Sequence, residues 1–114
     1  MMVQVAMTDV KTYIGGGTSW QAVKTANYTA AAGQGVFMNT TSGTLTLTLP
    51  ASPSIGDEVT FVDYAGIFDS NNLTIARNSS KIHGAEEDLT VAVERAANTL
   101  VFTDSTQGWL LKSK

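Results

Sequence analysis

The chain has no cysteine, a single histidine, two prolines and few charges: Asp, Glu, Lys and Arg make up 15% of its 114 residues, against roughly 25% in an average soluble domain. Without cysteine there is no disulfide framework and no thiolate metal site. With only His83, no imidazole cluster can hold a metal, and any Ser-His-acid triad would have to be built on that one side chain. Ser79, Ser80, Glu86 and Asp88 lie nearby in sequence, but no spacing suggests a triad, and His83 reads as structural or solvent-exposed. The one acidic run, Glu86-Glu87-Asp88, lacks the alternating Asp-x-Asp-x-Asp-Gly pattern of a calcium loop and reads as a solvated loop or a blunted strand edge. Seven scattered basic residues against ten acidic ones, a formal net charge of -3, argue against nucleic acid as a partner. There is no apolar run of about 18 residues to cross a membrane, and the N-terminus shows no basic region with a long apolar core behind it. Neither Gly15-Gly16-Gly17 nor Gly33-Gln34-Gly35 is followed by the Lys-Ser/Thr or long helix of a phosphate cradle. No catalytic residue, cofactor or metal site is expected.

Hydroxyl groups take the place of the missing charge. Sixteen threonines supply a residue that packs well on a pleated surface, and such a surface can be covered by a partner at low desolvation cost. The clearest pattern is Gly43-Thr44-Leu45-Thr46-Leu47-Thr48-Leu49-Pro50, where apolar and hydroxyl residues alternate between a Gly and a Pro. Period two predicts a strand with Leu45, Leu47 and Leu49 on a dry face and the threonines on the other. The preceding Val36-Phe37-Met38-Asn39 is predicted to pair with it as a hairpin through Thr40–Gly43. Glu58 to Tyr64 reads as a central strand covered on both sides. Further strands are predicted at Tyr28–Ala30, Leu73–Ile75, Lys81–Gly84, Leu89–Val93, Thr99–Thr103 and Trp109–Lys112, with Val93–Asn98 as a turn; Thr18–Val23 is left between a helical turn and an extended lead-in. Turn signals every 8 to 12 residues or so predict an all-β fold, an antiparallel β-sandwich or short β-barrel. Its core is predicted to include Leu45, Leu47, Leu49, Phe61, Leu73, Ile75, Val91 and Phe102.

Residues 1–17 differ from this body. Met2 to Gly17 carries no clean period and ends in three glycines, so it reads as an N-terminal extended arm with a hinge, leaving 18–114 as one β-domain. Val3, Val5, Met7, Val10, Tyr13 and Ile14 give the arm apolar surface, and they are the candidate attachment residues. Trp20, Tyr28, Tyr64 and Trp109 are candidate interface aromatics, or alternatively a face that stacks on a host-surface glycan.

The ordered set Tyr28-Thr29-Ala30, Gly35-Val36-Phe37, Thr46 to Pro53, Gly56-Asp57, Phe61 to Gly66, Asn71 to Ile75 and Thr106-Gln107-Gly108-Trp109 resembles small β-modules of tailed-bacteriophage virion proteins. These occur in fibres, neck and tail appendages and capsid-surface proteins. The resemblance implies a non-enzymatic structural role on the virion, assembled in the host cytoplasm with other virion proteins, in a homo-oligomer that is frequently a trimer. The module fills nearly the whole chain, unlike the long fibre chains, so the expectation is a small decoration or adaptor protein.

Overall fold

The computed structural model describes residues 18–112; the arm residues named above lie outside them. Nine strands are formed among the described residues: β1 Ser19–Trp20, β2 Tyr28–Thr29, β3 Gln34–Met38, β4 Leu45–Thr48, β5 Glu58–Asp63, β6 Leu73–Ala76, β7 Leu89–Val91, β8 Ala97–Phe102 and β9 Trp109–Leu111. They make two sheets, β1-β3-β5-β8-β9 and β2-β4-β6-β7. The fold is all-β, as the alternating patterns require.

The connectivity is not the expected one. Strands β1, β3 and β5 run parallel in the first sheet and β2, β4 and β6 run parallel in the second; only β7, β8 and β9 join antiparallel. For its first six strands the chain therefore coils from one sheet to the other, so that each parallel neighbour is reached through a strand of the opposite sheet. The predicted hairpin of Val36–Asn39 with Thr44–Leu49 does not form: β3 bonds to β1 and β5, and β4 to β2 and β6. The Thr40–Gly43 turn is present, closed by Gly43 N–H on the Thr40 carbonyl at 3.0 Å, but it joins strands in different sheets. Both strands have an apolar face to bury. Placed in opposite sheets, they turn Val36 and Met38, and Leu47 and Leu49, into one shared core, where all four are fully buried.

That core holds Val59, Phe61, Phe68, Leu73, Ile75, Leu100 and Trp109 at zero exposure, with Leu45 and Phe102 partly buried against it. Strand β5 is central to its sheet, as predicted, yet only one side of it is sealed: Val59 and Phe61 are buried, Val62 is half-buried and Tyr64 is exposed. Thr18–Val23 is extended, through β1. The segment predicted as a strand at Lys81–Gly84 instead makes an isolated bridge that closes the free edge of β9. Trp109 N–H donates to the Lys81 carbonyl at 2.8 Å, His83 N–H to the Trp109 carbonyl at 2.9 Å, and Leu111 N–H to His83 Nε2 at 3.0 Å. Gly108, at φ 75°, makes this approach possible: a Cβ there would collide with the Lys81 carbonyl oxygen.

Candidate interaction surfaces

Strand alternation that buries the leucines turns the hydroxyl residues outward, and the registers decide which of them stand side by side. On the second sheet Thr46, Thr74 and Thr90 form one row, and Thr29, Thr48 and Ala76 the next. The first sheet presents a different face. Trp20, Gly35, Thr60 and Thr99 lie across it in one row, and Phe37, Val62 and Ala97 in another. The Trp20 ring lies over Gly35, where a Cβ would stand 2.5 Å from Cε3, and stacks on Phe37 at 4.8 Å between centroids and 24° between planes. Packed from beneath in this way, Trp20 is still 48% exposed. Thr60 and Thr99 share a hydroxyl hydrogen bond of 2.9 Å on the same face.

Charge is nearly absent from both sheets. Among the nine strands only Glu58 and Asp63 are charged. Glu58 sits at the start of β5 and pairs with Lys112 at 3.0 Å, an exposed contact of small energetic weight. Asp63 is 1% exposed and accepts backbone N–H bonds from Gly66 at 2.8 Å, Phe68 at 3.0 Å and Arg95 at 2.9 Å. Burial pushes its pKa up, but the N–H bonds from Phe68, Arg95, Gly66 and Ile67 outweigh it and hold the carboxyl below its ordinary value. With its oxygens committed to main-chain donors, Asp63 is a structural clamp that ties the 63–68 turn to the 93–96 turn. Arg95 helps from the other side: it adopts φ 59°, and its Nη1 donates to the Tyr64 carbonyl at 3.0 Å.

The four candidate aromatics separate. Trp20 and Tyr64, at 48% and 51%, are exposed. Tyr28 is half-buried, donates from its hydroxyl to Gln34 Oε1 at 2.9 Å, and carries Lys24 Nζ 4.3 Å from its ring centroid. Trp109 is fully buried, edge-on to Phe102 at 5.5 Å between centroids. It is a core residue and cannot face an interface or a glycan, because β9 turns its first side chain inward. Phe37 was not singled out in the sequence, and nothing in a strand's own alternation says that its outer side carries an aromatic stack. Asp63 could have been found: Asp63-Tyr64-Ala65-Gly66 has the Asp-first, Gly-last form of a tight turn.

No group of three or more His, Cys, Asp or Glu side chains is placed to hold a metal among the described residues. Asp88 Oδ1 instead accepts Arg77 N–H at 3.0 Å, and His83 is exposed, its Nε2 occupied as an acceptor. One groove of about 490 Å³ is lined by Val91, Val93, Ala96, Ala97 and Leu111 together with the polar Glu94, Arg95 and Asn98. It lies where β7 of the second sheet parts from β8 and β9 of the first. No helix among the described residues is long and apolar enough to cross a membrane. No family model matches the chain, and no curated protein matches it in sequence.

Proposed function

We propose that this chain is a non-enzymatic structural module of a phage virion exterior, a small decoration, adaptor or fibre-type protein that works by burying sheet surface against copies of itself, as a homotrimer, and against other virion proteins. The observation that carries this reading is the nearly uncharged outer surface of both sheets, where Glu58 is the one charged strand residue facing out. A threonine array on one side and the Trp20-Phe37-Val62 face on the other can be covered with little stripping of water from ions, so apolar contact area converts to association at small opposing cost. The resemblance to phage β-modules supplies the setting. Light scattering at micromolar concentration tests the assembly, with a multiple of the chain mass expected and a single-chain mass at every concentration refuting it. Electron microscopy of particles made with and without the gene tests the location: the reading expects lost exterior density and fails if the particles are identical.

The second reading, recognition of a host-surface glycan, is favoured by one observation, the Trp20 ring backed by Phe37 and still 48% exposed. Such a ring can stack on a sugar face. A glycan array separates the two, since binding that Trp20→Ala abolishes is required by the second and not by the first.

A further inference from the structure

Sheet edges are where a β-fold meets other chains, and here three of the four edges are blunted in recognisable ways. Strands β1 and β2 have only two residues each, and β9 is closed by Lys81–His83. The remaining edge is β7. It pairs with β6 alone, and its other side carries no hydrogen bond among the described residues. Beside that open edge lies the apolar groove, and Val91, the last residue of β7, is part of its wall. Val93 follows at 66% exposure. An open edge next to a largely apolar groove is what an incoming strand requires: the edge supplies main-chain bonds and the groove takes every second side chain.

The chain itself contains a segment of matching chemistry. Over residues 2–17 as a whole there is no period, but Val3-Gln4-Val5-Ala6-Met7-Thr8 alternates, and residues 1–8 contain no charged side chain. Three apolar side chains two residues apart suit the part of the groove walled by Val91, Val93, Ala96, Ala97 and Leu111. Residues 9–17 follow that segment in the sequence and end in three glycines. Where the described chain begins bears on whose groove is served. The chain enters the body at β1, the edge of the first sheet farthest from β9, about 19 Å away at the usual strand spacing. The described chain thus begins at the edge of the body away from the groove, which favours a neighbour's groove over its own.

We propose that residues Val3–Thr8 of one copy add as a strand to the β7 edge of a second copy, with Val3, Val5 and Met7 seated in the Val91–Leu111 groove. The contact is head-to-tail, arm to groove, and closes into a ring when the rotation between copies allows. It rests on the self-assembly reading above and names the surface through which that assembly occurs.

The natural chain has no cysteine, so introduced thiols are the only ones present. The experiment oxidises full-length double variants, Val93→Cys with Cys at each of residues 3 to 7 in turn, and reads the products on non-reducing denaturing gels beside light scattering of the untreated protein. Covalent multimers are expected to peak at one of Val3→Cys, Val5→Cys and Met7→Cys, the one that the register sets opposite residue 93, because a disulfide spans at most about 7 Å between Cα atoms, with several-fold less product with Gln4→Cys and Ala6→Cys, because a strand turns those side chains away. A control pairing Val5→Cys with Ile55→Cys, on an 80% exposed loop, is expected to give little. An intrachain product shows that a copy's own arm fills the groove and overturns the proposal. A peak at Gln4→Cys or Ala6→Cys, no preference among the five positions, or equal yield at Ile55, overturns it too. If scattering still shows an oligomer while no cross-link forms, the docking fails and the assembly reading stands; a single-chain mass throughout removes both.

Discussion

Replacing Asp63 probes the clamp between the two turns. Its carboxylate is 1% exposed and receives three main-chain N–H groups, from Gly66, Phe68 and Arg95. Asp63→Ala leaves all three donors without an acceptor, each worth about 1–3 kcal/mol when buried, so a loss of about 3–6 kcal/mol is expected after partial relaxation toward water. Against a total stability of about 5–15 kcal/mol for a domain of this size, that is close to unfolding. Asp63→Asn is the more informative change, since it keeps one carbonyl oxygen but turns an NH₂ toward a donor, and should cost about 2–4 kcal/mol. The charge adds a pH signature. Because the folded pKa lies below the ordinary 3.8, the stabilisation is fully present above the unfolded pKa and is lost as pH falls through the folded one. The gap between wild type and Asp63→Asn should therefore stay constant from pH 7 to about 5 and narrow below about 4. Urea titrations at several pH values, followed by the emission of buried Trp109, measure this gap. A cost below about 1 kcal/mol at pH 7, or a gap that widens in acid, refutes the clamp.

Three further outcomes follow from packing. Leu47→Ala should cost about 2–5 kcal/mol by chemical denaturation, while Thr46→Ala on the outer face of the same strand should cost little in the isolated domain; equal small effects would contradict the assignment of faces. Gly35→Ala places a methyl 2.5 Å from the Trp20 ring, so it should displace that ring, change the exposed-tryptophan emission and cost about 1–3 kcal/mol; an unchanged spectrum would mean that Trp20 does not rest on Gly35. Deleting residues 2–17 should leave thermal stability near that of the full chain and abolish assembly, by differential scanning fluorimetry and light scattering. A deletion that unfolds the body would show that the arm belongs to the core.

The strands and their dry faces were legible in the sequence because side-chain alternation is a local property: Leu45, Leu47 and Leu49 declare a face whatever stands opposite. The predicted core residues are all buried or partly buried for that reason. Local pattern does not say which strand is the neighbour. The Thr40–Gly43 turn serves equally to fold a strand back beside its predecessor or to carry it across to another sheet, and burying Val36 and Met38 against Leu47 and Leu49 decided for the second. Surface readings divided the same way. Low charge and abundant threonine are compositional, and alternation turned much of the hydroxyl outward. That Trp20 stays exposed over Gly35 and Phe37, that Trp109 is sealed inside, and that the groove opens beside the unpaired edge of β7 depend on contacts between residues far apart in the chain, which exist only once both sheets have closed on one core.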